Sequence, residues 1–339
     1  MRNQTRELFN QYLERQAELN GIADATQSFT VDPSVEQKLE DRAQESSEFL
    51  QRINISPVAE LKGEKLGLGI GESLARRTNT DVNDRQTSDP TSLDNLIYEL
   101  AKTEFDTHIK WNKLDMWAKF PDFQERIRNQ VLRRIALDRI MIGWNGTSVA
   151  AASDRAANPL LQDMNIGWIQ RCREDKEEHI LSEGTPGSGK IIIGPGGDYA
   201  SLDALVYDLY NALLPSWASG DTELVAIVGR DMMHDKYFPL INVEQAPTEQ
   251  VARDIIMSQK RLGKLPAFQV PHYPANAVTV TRFDNLSIYW QEGSRRRYII
   301  DNPKRDRIED FQSVNEGYVI EDYDFFCHAE NIEIIEAEA

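Results

Sequence analysis

Residues 113–146, KLDMWAKFPDFQERIRNQVLRRIALDRIMIGWNG, hold the longest convincing helical pattern in the chain, and every other segment must be arranged around it. Pro121 stands where a first-turn proline is harmless, and Asp122 and Glu125 place negative charge at the positive end of the helix dipole. Phe123, Ile127, Val131, Ile135 and Ile142 recur at spacings near three and four, with Leu132, Ala136 and Ile140 widening that face. Gly143 and Asn145-Gly146 read as its stop. The spacing predicts a helix over about 121–143; from Asp122 to Ile142 it would run ~30 Å at ~1.5 Å per residue.

The other face carries Arg126, Arg128, Arg133, Arg134 and Arg139. It is either a solvated face, since exposed ion pairs contribute little, or a face that meets acidic segments of a neighbouring subunit. The rest of the chain favours the second. With 55 acidic against 38 basic residues the net charge is −17, which argues against a free-standing nucleic-acid binder. A hydrophobic content of 40% supports a real core. No run of about 18 apolar residues occurs, and the N-terminus MRNQTRELFNQYLERQ is polar, so neither a membrane span nor a signal peptide is expected. Cys172 and Cys327 are too few for a disulfide framework and read as reduced thiols.

Residues 1–20 form a short amphipathic helix along Leu8, Tyr12 and Leu19, ended by Asn20-Gly21. Residues 22–28 read as an exposed connector. A charged second helix is expected over 34–52, with Val35, Leu39, Phe49 and Leu50 as sparse anchors. Neither helix has enough apolar surface to fold alone, so the two form an arm that docks elsewhere. Residues 65–70 and 96–111 alternate like strands around some twenty polar residues, a long hairpin projecting from the body, with Arg76, Arg77 and Arg85 near its tip. After the long helix, further helices are expected over 158–178, from Ser201 along the Leu202–Leu213 stripe, and over 230–240 and 248–258. Strands are expected over 190–194 and 223–228. From Phe268 the chain turns β-rich, with a turn at Glu292-Gly293 and a last strand alternating through Val319, Tyr323, Phe325, Cys327 and Ala329.

Chemical motifs are suggested and then fail. GTPGSGK, 184–190, matches seven positions of a phosphate-binding loop, but Ile191 replaces the magnesium-binding hydroxyl and a strand follows where a helix is needed. Gly67, Gly69 and Gly71 lie inside a strand pattern and lead into no helix. The five histidines, His108, His179, His234, His272 and His328, show no ligand-like spacing. Arg295, Arg296 and Arg297 sit beside a hairpin turn, where charge also protects an edge strand. No catalytic, metal or cofactor-binding residue is expected, and the chain does not read as an enzyme.

A spine helix, a projecting hairpin, a docking arm and a separate α/β unit together make an α+β chain that resembles the HK97-type fold of tailed-phage major capsid proteins. The blocks MRNQTRELFNQYLERQAELNGI, FTVDPSVEQKLEDRAQESSEFLQRINI, LKGEKLGLGI, LDMWAKFPDFQERIRN, GGDYASLDALV, IVGRDMMHDKYFP and QKRLGKLPAFQVPHYPANAVTVTRFDNLSIYW look closest to the P2-like branch of that family. The resemblance runs from Met1 to about Asn331 and is weakest over 72–94 and 174–190. It implies an N-terminal arm over 1–56 and an extended loop over 57–112 that lies across the adjacent subunit. It implies a peripheral domain over 113–199 and 286–339, and an axial domain over 200–285. It also implies hexamers and pentamers closing into an icosahedral shell around double-stranded DNA bound without sequence specificity. The implied partners are further copies, a scaffolding protein with a maturation protease, and the portal protein; no membrane is involved. The arm start would be removed during maturation, with Phe29–Thr30 the expected bond, because an exposed connector precedes it. Arg76, Arg77, Arg85, Arg126, Arg133 and Arg134 are the expected inter-subunit contacts. An encapsulin-like cargo shell is the alternative. The protein would belong to the virion, and to the host cytoplasm during assembly.

Overall fold

The computed structural model describes residues 1–66, 69–70, 75, 77–82, 84–85, 87, 91–92, 95–120, 123–229, 232 and 260–335. In chain order the elements are α1 (Asn3–Leu19), β1 (Phe29–Thr30), α2 (Pro33–Glu45), β2 (Asn54–Val58), β3 (Lys62–Leu66), β4 (Gly69–Ile70), β5 (Thr91–Ser92), β6 (Asn95–Glu99), β7 (Ala101–Glu104) and β8 (Thr107–Lys110). They continue with α3 (Trp111–Trp117), α4 (Phe123–Asn145), α5 (Trp168–Asp175), β9 (Ile180–Leu181), β10 (Ile191–Ile193), α6 (Leu202–Leu213) and β11 (Val225–Val228). The chain closes with β12 (Arg261–Leu262), β13 (Leu265–Gln269), β14 (Val278–Thr281), β15 (Leu286–Gln291), β16 (Arg296–Asn302), β17 (Arg307–Ile320), β18 (Cys327–Ala329) and β19 (Ile332–Ile334).

Local chemistry sets the helix ends. Ser201 Oγ accepts the Ala204 amide at 3.3 Å and starts α6. Asp32 accepts the Ser34 amide at 2.9 Å and Pro33 occupies the first turn of α2. Gly21, at φ +62°, takes the chain out of α1.

Two sheets organise the rest. β17 is the hub of a seven-stranded sheet, pairing with β16 over 307–313, β15 over 316–320, β7 over 313–316 and β8 over 307–310; β2 adds to β15 in parallel, and β1 to β16 antiparallel. The second, six-stranded, has the order β12-β13-β11-β14-β18-β9. Against it packs the apolar face of α6, with Leu205, Val206 and Leu209 meeting Ala226, Val228, Val278 and Val280. A second core is aromatic. Trp144 at the end of α4 stacks edge-on to Trp168 (5.0 Å) and Tyr273 (4.9 Å), and Trp168 to Tyr318 (5.4 Å). Ile140, Ile142 and Ile288 fill around them.

Five expectations change. α4 does not stop at Gly143 but runs to Asn145, because Gly143 is the flat spot on which the Trp168 ring lies. α2 ends at Glu45, not Arg52: Ser46 Oγ bonds back to the Ala43 carbonyl at 2.7 Å. Gln44 then ties down the Leu50 and Ile53 carbonyls, folding Phe49 and Leu50 into the aromatic core. The helix expected over 158–178 shrinks to α5. Pro159 has no amide to give, and Asp154 and Asp163 accept the amides of Ala156 and Asp154, so side chains hold the loop in place of a helix. The strand expected over 96–111 divides into β6, β7 and β8, because the chain changes partner from β3 to β17, with the Leu100 amide on the Leu61 carbonyl and the Phe105 amide on Gln312. The last expected strand breaks at a 3₁₀ turn, Tyr323–Phe325, where Asp322 accepts the Asp324 amide. The hairpin itself forms through Lys62↔Glu99 to Leu66↔Asn95 and Gly69↔Ser92. The helices expected over 230–240 and 248–258 lie outside the described residues, Met232 apart.

Candidate assembly elements

The centre of the molecule is a buried ion cluster that joins the arm to the spine. Glu36 and Glu40 lie four apart on α2 and both turn inward. Arg139 of α4 reaches Glu40 with Nη1 at 2.5 Å and Nη2 at 3.1 Å, and its Nε donates to Glu316 of β17 at 2.9 Å. Arg295, before β16, contacts Glu40 and lies 3.7 Å from Glu36. Burial by itself would raise the Glu40 carboxyl, yet the two guanidiniums hold it down at about 2. At Glu316 and Glu36 burial wins, and both carboxyls are pushed up. Three carboxylates face two guanidiniums, so the cluster is nearest neutrality with one proton on Glu36 or Glu316. Removing one partner from such a cluster is costly, because the charge left behind stays buried and unpaired.

A second polar joint holds the start of the arm. Arg297 of β16 donates to Tyr12 Oη at 2.8 Å, to Gln16 at 2.9 Å and to Asp310 at 2.6 and 3.0 Å. Arg6 pairs with Asp301 at 3.0 Å, and Asp115 accepts the Arg2 amide at 2.9 Å. Residues 25–31 run beside the β16 edge, with the Val31 amide on the Arg295 carbonyl and the Ile299 amide on Ala25. A small apolar plug of Ala25, Phe29 and Val31, with Leu13, Ile22 and Val35 packed against it, ties this segment down.

The residues expected from the sequence are scattered. Phe29 is buried and paired with Arg297, while Thr30 is exposed opposite Arg296. Connector residues 23, 24 and 26–28 are exposed. Arg126, Arg133 and Arg134 lie on the exposed face of α4, with Arg134 2.5 Å from Asp138. Arg77 and Arg85 are exposed; Arg76 lies outside the described residues. Of the spine arginines, Arg139 goes inward. The sequence signal for that was available in outline: α2 has few apolar anchors, so its inward face had to carry Glu36 and Glu40, and those need a cation.

The loop at 184–190 satisfies itself. Glu183 accepts the amides of Gly187 at 2.9 Å and Gly189 at 3.1 Å, which lowers its own carboxyl. The amides a phosphate would need are therefore taken. His179 Nδ1 sits 2.9 Å from the Tyr323 and Phe326 carbonyls, and His328 Nδ1 2.8 Å from Thr279 Oγ1, both as buried structural groups. Among the described residues no group of His, Cys, Asp and Glu is placed to hold a metal, and no helix is long and apolar enough to cross a membrane.

Comparison with known proteins places this geometry. Residues 8–332 match the family model described as phage major capsid protein, P2 family. The capsid protein of Escherichia phage P2 is 48% identical, with 98% of this chain and 96% of that one aligned. The major capsid protein of Serratia phage KSP20 is 40% identical over 95% of each. Among solved structures, the procapsid of satellite phage P4, which includes a size-determination protein, superposes with a TM-score of 0.83 at 46% identity over 99% of both chains. The capsid of an empty GTA particle shares the fold alone, at TM-score 0.52 and 14% identity over 85% of this chain and 90% of that one.

Proposed function

Because this chain belongs to the P2 family of phage major capsid proteins, we propose how its segments divide the work of building a shell. The protein is the major capsid protein of a tailed phage, and many copies of it assemble into an icosahedral capsid. The observation that carries this is the match over nearly the whole chain, in sequence to phage capsid proteins and in fold to a chain of the satellite phage P4 procapsid. A cargo-shell role has less behind it, since the relatives at 48% and 40% identity are phage capsid proteins.

In this reading residues 1–56 are the arm, 57–112 the extended loop across the adjacent subunit, 113–199 with 286–339 the peripheral domain, and 200–285 the axial domain. Copies group as hexamers and pentamers around double-stranded DNA. A scaffolding protein with its maturation protease and the portal protein act on the shell in the host cytoplasm. The exposed arginines Arg77, Arg85, Arg126, Arg133 and Arg134, with Arg76, face acidic segments of neighbours. The maturation cut falls at Phe29–Thr30. Since Phe29 is buried and paired in the docked arm, the cut precedes docking or follows release of the segment 25–31; the small plug beneath it makes that release inexpensive.

The test is co-expression with the scaffold-protease, followed by negative-stain imaging and intact mass of the shell fraction. Closed shells whose subunit begins at Thr30 are expected. Shells of full-length protein would remove the cleavage assignment, and folded monomers alone would remove the assembly role.

A further inference from the structure

Two glutamates one turn apart on α2 are held very differently by the cluster that buries them. Glu40 receives both prongs of Arg139, at 2.5 and 3.1 Å, and is contacted by Arg295 as well. Glu36 is just as buried but takes no hydrogen bond from a guanidinium. Its Oε2 accepts the Gly293 amide at 3.2 Å. Its Oε1 stands 3.7 Å from Arg295 Nε and has no hydrogen-bond partner among the described residues. A buried carboxylate left in that position is costly, and taking up a proton removes the cost.

The groups facing Glu36 come from every element packed around it. α4 supplies Arg139, the turn before β16 supplies Arg295, and β17 supplies Glu316, whose Oε2 accepts from Arg139 Nε at 2.9 Å. None of these, nor Glu36 or Glu40, is more than 4% exposed. Tyr318 of β17 lies beside Glu316, and burial pushes its hydroxyl well above the usual 10, so it stays neutral. Asp138 of α4 is paired with Arg134 at 2.5 Å. With every carboxyl ionised, three negative charges would meet two positive ones away from water. Glu316 and Arg139 are fixed in the hub strand and the spine helix. α2 is held more lightly, for Ala43 is the one apolar side chain that it buries fully.

We propose that Glu36 is a proton latch for the arm: α2 docks with this carboxyl protonated, and its ionisation lifts the first turns of α2 to bring the charge to water. Burial raises the Glu36 carboxyl above its ordinary 4.5, and the charge of Glu40 adds to the rise, against Arg295 and the Gly293 amide. The latch is therefore complete below 4.5 and is lost as pH rises through the raised folded value. Glu40 works in the opposite sense, so one helix face carries a charge clamp and a proton carrier side by side. Val31, just ahead of α2, gives its amide to the Arg295 carbonyl, so lifting that turn also loosens residues 25–31. The latch goes beyond the shell-forming role and does not depend on it.

Backbone hydrogen exchange of the full-length subunit, corrected for the intrinsic effect of pH on exchange, reads the latch. Protection of residues 33–40 is expected to fall about fivefold or more from pH 5 to pH 8.5, while that of α4 does not fall. Glu36→Gln, which has no carboxyl to ionise, should remove the slope and leave α2 about fivefold better protected than the wild type at pH 8.5. A slope kept by Glu36→Gln and abolished by Glu316→Gln would put the proton on Glu316 and overturn the assignment. Glu36→Gln less protected than the wild type at pH 8.5 would make Glu36 an ion-pair partner of Arg295, and would overturn it too. Should a variant fail to fold, the wild-type slope is a test by itself: protection over 33–40 that stays level or rises from pH 5 to pH 8.5 removes the latch.

Discussion

Arg139 of the spine helix and Glu40 of the arm helix meet in a two-pronged buried ion pair, 99 residues apart in sequence. Neither side chain is more than 2% exposed. The arm is therefore held by charge at its centre, and an Arg139→Met change would leave Glu40 and Glu316 facing each other with Arg295 the one remaining cation of the cluster among the described residues. Removing one partner from a buried cluster typically costs about 3–5 kcal/mol. We expect Arg139→Met to lower the unfolding free energy measured in urea by that amount and to open α2 to limited proteolysis. An unchanged midpoint would mean that water reaches the cluster.

The cluster also dictates an acid response. Glu40 has its folded value depressed to about 2 from 4.5, so its contribution is fully present above 4.5 and is lost as pH falls from 4.5 toward 2. His328, buried and held down at about 3 from 6.5, acts in the same direction: the unfolded chain takes up its proton first, and stability falls as pH drops below 6.5. Glu316 and Glu36 act oppositely, since their raised folded values favour the protonated form and their contribution fades as pH rises through those values. Stability should hold near neutral pH, begin to fall below pH 6.5 and fall steeply below 4.5. Glu40→Gln should flatten the limb below 4.5, by up to about 3 kcal/mol. The check is unfolding free energy at pH 7, 5 and 3 for both proteins; parallel curves would remove Glu40 as the cause.

The elements that declare themselves in sequence are those whose burial follows a period. The α6 stripe, the capped start at Ser201, the spine helix and the hairpin strands were legible because apolar spacing and terminal residues agreed. What escaped was decided by polar groups. Glu36 and Glu40 look like solvated charge on a weakly apolar helix, and only the arrival of Arg139 and Arg295 from distant segments turns them inward. Asp154 and Asp163 likewise replace an expected helix by a loop through side-chain bonds that periodicity does not register. The family was legible from long ordered blocks.

Tyr12 and Arg297 set how tightly the arm's first helix is held. Tyr12→Phe keeps the ring but deletes the acceptor 2.8 Å from the guanidinium, which Gln16 and Asp310 still contact. Overall stability should change by no more than about 1 kcal/mol, as for one hydrogen bond. Local opening of residues 22–30 should become several-fold more frequent, because little apolar surface opposes it. Limited proteolysis with a non-specific protease measures this, and equal cleavage rates in that segment for both proteins would count against the joint.

Gly143 gives a prediction in which propensity and packing disagree in sign. In a helix interior Ala is favoured over Gly by about 1 kcal/mol, so propensity alone says Gly143→Ala stabilises α4. A β-carbon there would overlap the Trp168 ring, whose own position is fixed by Trp144, Phe49 and Tyr318. Overpacking a fixed core costs about 1–3 kcal/mol, which outweighs the propensity gain. We therefore expect Gly143→Ala to lower the urea midpoint and to shift tryptophan fluorescence, since both buried indoles must move. Gly220 is the control: a β-carbon there meets nothing within 4 Å, so Gly220→Ala should be neutral or stabilising by up to about 1 kcal/mol. If both variants gained stability alike, the ring would be free to slide aside, and the glycine would owe its place to nothing in this core.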